Sequence, residues 1–320
     1  MNNEYRRILV ISMQRSIRKS GNFILLSLCS VLLLSCDRNS EQKREEYLNY
    51  VSSIESWKDY RIEGLKKNWL SLAGLFPLNK GENSFGASDS NDIVFPGANT
   101  PPHIGTIFVN DSEVSVKINP DINVLYNEEK VMEMKLIKDS EGEPTVLHLG
   151  SLSWHIIQRV DNMYVRLRDS ENPPIVAFQG IENYPIDTSW HVIAQFEPHL
   201  TTKIIETASS NGGISRISST GAIGFRINGQ YYRLDAWPLG DSDRYQTLFV
   251  DETSASETYG GGRYLIMERS TKDGYYYVDF NKAYNPPCAF TEFATCPLPP
   301  PQNRLPIKVT AGEKYKELAH

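Results

Sequence analysis

The chain has 320 residues, a formal net charge of −6 and four cysteines. That is enough for one large hydrophobic core or two moderate ones. An acidic chain repels phosphate backbones and anionic lipid heads, which excludes nucleic acid as the expected partner and a basic surface as the route to a membrane.

At the N-terminus, Arg15, Arg18 and Lys19 precede the apolar run FILLSLCSVLLLS, 23–35, which ends at Cys36. This is a charged region followed by an apolar run too short to span a bilayer. With Leu33, Leu34 and Ser35 before the cysteine, it resembles a bacterial lipoprotein signal, although Leu34 stands where a small residue is more usual. The resemblance implies loss of the signal peptide 1–35, an acyl anchor at Cys36 and a body in the cell envelope, outside the cytoplasm. Loss of 1–35 removes Arg6, Arg7, Arg15, Arg18 and Lys19 against Glu4 alone, so the body is more acidic than the whole chain.

After a short polar tether, Tyr47, Val51, Ile54, Tyr60 and Leu65 recur at roughly helical spacing, strictly so only from Tyr47 to Ile54, which predicts one amphipathic helix from Glu41 to about Lys67. Strand-like alternation follows at Val114–Val116–Ile118, Met132–Met134–Leu136 and Met163–Val165–Leu167. The piece GASDSNDIVFP, 86–96, resembles the early strands of the forkhead-associated sandwich. The arginine that would hold phosphate there is absent, and Pro101-Pro102-His103 replaces its serine–histidine loop, so phosphopeptide binding is not expected. Asp161-Asn162 and Asn228-Gly229 read as hairpin turns. Further strands are expected at 190–196, 203–207, 221–227, 231–236 and 246–250. No long helical pattern interrupts them, which argues against a parallel βαβ sheet.

The expected fold is all-β, with antiparallel β-sandwich or barrel-like lobes behind an N-terminal amphipathic helix. The expected divisions are 36–68 for tether and helix, 69–183 for a first β lobe, and 184–320 for a second lobe with a Cys/Pro-rich C-terminal loop.

Several stretches together resemble one family: WLSLAGLFPLNKGENSFG (69–86), RDSENPP (168–174), YPIDTSWHVIAQF (184–196), TYGGGRYL (258–265) and DFNKAYNPPCAFTEFATCPLPPPQNRLPIKVTAGEK (279–314). It is the DUF1684 family of bacteria and archaea, a domain of unknown function. The resemblance runs through nearly all the chain after Cys36 and implies membership without implying an activity.

Candidate site residues cluster near the end. Arg263, Asp279, Asn281, Tyr284, Asn303 and Arg304 are the expected ligand-binding groups, suited to a small acidic ligand or saccharide. Internal arginine–carboxylate pairing would account for the same residues. Gly260, Gly261 and Gly262 could present backbone N–H groups to an anion, or form a tight β connection. With Cys29 in the signal and Cys36 acylated, Cys288 and Cys296 remain. An oxidising compartment favours a disulfide between them; the other reading is two free thiols, with Cys288 as a nucleophile. Among the histidines, His191 is the candidate general base, with Asp187 to orient it. No metal and no cofactor is expected, because two sulfurs without a nearby histidine make a poor zinc site. Three functions are carried forward: a ligand-binding module, a hydrolase or thiol-dependent enzyme, and a structural module contacting an envelope protein.

Overall fold

Period-two alternation of apolar and polar residues drives much of this chain into antiparallel strands. The computed structural model describes residues 40–316 apart from 98, 160 and 211. The signal-like segment 1–35, with Cys29, and the acylation site Cys36 lie outside the described residues. No helix among the described residues is long and apolar enough to cross a membrane.

The chain divides into two compact units after Ser56. In the first, the described residues 40–56 are helical. In the second, residues 57–65 are helical and run into a wider π turn at Lys66–Leu70. The expected apolar stripe holds only in part: Leu65 is buried while Tyr60 stays 76% exposed.

Two sheets then stack as a sandwich. One is five-stranded, in the order β3 (Ile93–Val94), β2 (Gly81–Gly86), β4 (Gly105–Asn110), β5 (Glu113–Ile118), β8 (Glu133–Leu136). The other is six-stranded, in the order β1 (Leu72–Pro77), β11 (Asn162–Asp169), β10 (Leu152–Arg159), β9 (Leu147–Leu149), β6 (Leu125–Tyr126), β7 (Glu129–Lys130). Phe85, Ile107 and Val116 from the first sheet share a core with Trp154, Ile156 and Val165 from the second. Phe85 and Phe95 pack edge-on against Trp154, with ring centroids 5.7 and 5.6 Å away. These distances suit the aromatic quadrupole.

A short helix, Pro173–Ala177, leads to the second lobe. This is a closed antiparallel barrel of β12 (His191–Ala208), β13 (Ile214–Ile227), β14 (Gln230–Pro238), β15 (Tyr245–Phe249), β16 (Arg263–Arg269) and β17 (Tyr275–Asp279). Closure of β17 onto β12 leaves no free edge. The stretch after β17 is part of the barrel's core: Phe280, Ala283, Leu305, Val309 and Ala311 pack with Ile223, Phe225, Leu265 and Val278.

The fold is the expected one, with differences of detail. Segments 190–196 and 203–207 belong to one long strand, β12, whose pairing with β13 is irregular between Pro198 and Lys203. A proline cannot donate to the ladder, so the break in pattern marks a bulge within one strand. The β10–β11 hairpin closes on Arg159 and Asn162, one position earlier than Asp161-Asn162 suggests. Asn228 and Gly229 adopt φ of 50° and 80°, as a tight hairpin turn requires.

Candidate functional site

The structure places the expected ligand-binding residues at separate positions, most of them engaged within the fold. Arg263 is wholly buried. Its Nη2 donates to the Val309 carbonyl at 2.9 Å and to Asp251 Oδ1 at 3.3 Å, and its Nη1 donates to the carbonyls of Ala311 and Glu313. It ties the C-terminal segment to the barrel. Asn303 is equally buried: its amide donates to the Asp235 and Leu248 carbonyls and to Thr247 Oγ1, while Oδ1 accepts the Asp235 amide at 2.8 Å. Arg304 is exposed on the other side of the same extended segment, between buried Asn303 and Leu305. Extended backbone alternates sides, so Asn303 and Arg304 cannot line one pocket.

Asn281 is a staple. It accepts the Asp187 amide at 3.0 Å, returns a bond to the Asp187 carbonyl at 2.8 Å and donates to Asp279 Oδ1. The Tyr284 ring lies under the Arg61 guanidinium, 4.9 Å from its centroid, and burial pushes its hydroxyl up to about 12. The glycine run makes the tight connection: Gly262 has φ +82°, and a Cβ there would stand 2.4 Å from Pro299 Cγ and 2.6 Å from the Phe249 carbonyl. Only glycine fits that approach.

The candidate orienting group, Asp187, is engaged at a turn of its own backbone. The Asp187 carboxylate accepts the Ser189 amide at 2.8 Å and so caps a short 3₁₀ turn, while His191 is exposed beside the Tyr277 ring. A second grouping, Ser219, His199 and Asp235, is not a catalytic triad either. Serine and aspartate both approach the same ring nitrogen, Nε2, at 3.3 and 3.7 Å, and the serine hydroxyl also has the Gly221 and Ala236 carbonyls as acceptors. A triad needs them on opposite nitrogens.

Cys288 and Cys296 are free thiols, not the expected disulfide. The Cys288 amide donates to Cys296 Sγ at 3.2 Å, and the Tyr259 hydroxyl lies 3.7 Å from Cys288 Sγ. These contacts turn the sulfurs into hydrogen-bond partners of their surroundings. Cys288 is partly exposed and Cys296 is buried.

The most unusual electrostatics lie elsewhere, on the face of β10 and β11 turned away from the sandwich core. Arg166 pairs directly with His155, and Arg168 follows two residues on, so all three share that face. The face is covered: Ile157 is fully buried, and His155 and Arg166 are 8% and 7% exposed. Yet Arg166 makes no hydrogen bond or ion pair with any described residue, and its Nε is enclosed without a partner. Among the described residues Arg168 reaches only the ring of His155, with Nη1 3.4 Å from Nδ1. The one acid nearby, Asp139, already accepts from Arg159 Nη1 at 2.7 Å and from the Gln158 amide. Burial, reinforced by Arg159 and Arg168, pushes Arg166 down to about 10. Burial also holds His155 at about 4, with Arg168 and Arg166 adding to the effect.

His155 gives a pH prediction. Well above pH 6.5 its ring is neutral folded and unfolded alike. As pH falls from about 6.5 to about 4, the unfolded chain takes up a proton that the folded chain refuses, so stability falls through that window. Urea unfolding at pH 7.5 and 5 should show a loss of roughly 1–2 kcal/mol beyond that of His155→Gln. Equal losses in both proteins would rule this out.

Comparison with known proteins was made on this background. The profile of the family described as "Protein of unknown function (DUF1684)" matches residues 176–314. A solution NMR structure of an uncharacterised protein of Haloarcula marismortui shares 32% identity, covering 45% of this chain and 80% of that one, with a TM-score of 0.37.

The chain belongs to the DUF1684 family.

The DUF1684 match spans the barrel and the thiol pair, whereas Arg166, Arg168 and His155 lie before residue 176. The FHA structure of Rv0020c is similar at 18% identity, over 28% of this chain and 78% of that one, with a TM-score of 0.21. No curated protein matches.

Arg166 escaped the sequence reading because Tyr164, Arg166 and Arg168 alternate with Val165 and Leu167, as on any strand with one wet face. A signal was present in Trp154-His155-Ile156-Ile157, where both faces of β10 carry apolar residues.

Proposed function

We propose that this DUF1684 protein is a lipid-anchored envelope protein that binds a small anionic ligand, such as a carboxylate or an acidic saccharide, at Arg166, Arg168 and His155. The observation that carries the reading is Arg166: a residue 7% exposed, its Nε enclosed without a partner and its guanidinium without a hydrogen bond or ion pair to any described residue, flanked by a second guanidinium. Its Nε is enclosed and its Nη groups are not, so the charge is partly desolvated, and an anion bound at the Nη groups would offset that cost. Arginine's planar fork suits a carboxylate or phosphate held by two parallel bonds. A bound anion would also favour the protonated form of His155, so affinity should rise as pH falls from 7 towards 5.

Calorimetric titration of the chain with citrate, glucuronate and phosphate tests the reading. Arg166→Gln should weaken the best ligand at least about tenfold, matching the loss of one charge-assisted contact. Exposed Arg304→Ala should leave it unchanged. Wild-type affinity in Arg166→Gln would remove the reading.

The anchor rests on the resemblance of 23–36 to a lipoprotein signal. Cells fed a clickable palmitate analogue should label the wild-type chain and not Cys36→Ser. Equal labelling would exclude acylation at this residue.

A further inference from the structure

We infer that the anion site continues across the open end of its sheet face and takes an acidic oligosaccharide, with a uronate at Arg166 and Arg168 and the next sugar over Ser153 and His148. The inference rests on the anion reading above and names the kind of molecule that carries the anion. The sheet's register brings these residues together. Arg168 of β11 stands opposite Ser153 of β10, and Ser153 stands opposite His148 of β9. Leu125 of β6 and Lys130 of β7 continue the same rung. Directly paired residues project to one side of a sheet, so this rung shares the face of Arg166 and His155, turned away from the sandwich core.

Exposure rises along this face in one direction. On β10, Ile157 and His155 are buried and Ser153 is half-buried; on β9, His148 is exposed. On β11, Arg166 is buried and Arg168 half-buried. The face is therefore closed at Ile157 and open at the rung of Arg168, Ser153 and His148. Neighbouring strands lie about 4.8 Å apart, so that rung spans about 10 Å from Arg168 to His148. A simple carboxylate or a phosphate fills only its arginine end, whereas two linked sugar rings fill its length.

The chemistry changes along the rung. Arginine only donates, and two guanidiniums side by side suit a carboxylate. Serine and imidazole each donate and accept, as sugar hydroxyls do. Neither the Ser153 hydroxyl nor the His148 ring has a hydrogen-bond partner among the described residues, so both are free for a ligand. Beside His148, half-buried Leu125 offers an apolar surface to the C–H face of a sugar ring. The residues paired along the rung include no acid, and Lys130 at the far end gives its ammonium to the Pro120 carbonyl at 2.8 Å.

Calorimetric titration of the full chain with four probes tests this: phosphate, glucuronate, and the two disaccharides that join glucuronate to glucose through its anomeric carbon or through its O4. At least one disaccharide should bind about tenfold or more tightly than glucuronate. Ser153→Ala and His148→Ala should each weaken that disaccharide about three- to tenfold, the loss of one neutral hydrogen bond. Together they should erase its advantage over glucuronate. Both variants should bind phosphate as the wild type does, which also shows that they fold. Arg166→Gln should weaken every probe. Disaccharides no tighter than glucuronate, or an advantage that survives the double substitution, would overturn the oligosaccharide assignment while phosphate binding keeps the anion reading standing. A wild type that binds none of the four probes would remove both.

Discussion

Arg263→Met should cost about 3–5 kcal/mol in urea unfolding, a large share of the roughly 5–15 kcal/mol that holds a domain folded. Arg263 is wholly buried, and its two Nη groups satisfy three carbonyls of the C-terminal segment together with Asp251. Removing it strands the Asp251 carboxylate inside the barrel lobe with only neutral donors: the hydroxyls of Thr253 and Ser254, and the amides of Thr253 and Val309. The carbonyls of Val309, Ala311 and Glu313 lose the guanidinium at the same time. The segment that carries them places Val309 and Ala311 in the barrel core, so its release opens that core. Arg263→Met combined with Asp251→Asn should recover part of the loss, because the second change removes the stranded charge. Arg304→Ala, a change at an exposed arginine, should stay within about 0.5 kcal/mol. A loss below about 1 kcal/mol for Arg263→Met would contradict the structural role assigned to this residue.

Arg166→Met should act with the opposite sign. Arg166 is buried in the sandwich lobe, 7% exposed, and no carboxylate or carbonyl of the described residues receives its protons. Its charge is opposed by burial and by Arg159 and Arg168, while the nearest acid is engaged with Arg159. Methionine keeps most of the stem's packing and removes the uncompensated charge, so the ligand-free protein should gain roughly 1–2 kcal/mol. A buried group that destabilises the empty protein is the signature of a site kept for binding.

The contrast between these two arginines shows what could be read from sequence. Strands were visible wherever one face was dry: Val114, Val116 and Ile118 are all buried on β5, and Val165 and Leu167 on β11. The hairpin at Asn228-Gly229 was visible because positive φ has few compatible sequences. The place of Gly-Gly-Gly-Arg was visible and its purpose was not, because the partner Asp251 lies twelve residues earlier and the pairing of β15 with β16, Phe249 opposite Arg263, brings them together. Asn303 and Arg304 looked like one site as neighbours in sequence, yet an extended backbone sends them to opposite sides. Arg166 and Arg168 were hidden for a different reason. Alternation shows which residues share a face of a sheet, but not whether a second layer covers it. That cover turns an ordinary wet strand face into a partly desolvated pair of arginines beside a neutral histidine.

The most direct measurement is urea unfolding of wild type and Arg166→Met, each with and without saturating citrate at pH 6.5. An arginine held for an anion predicts that citrate stabilises the wild type by about 2–3 kcal/mol at a hundredfold excess over its Kd, and does nothing for the variant, which is the more stable of the two without it. A variant less stable than wild type, or one that responds to citrate equally, would contradict the assignment of this face as the binding site.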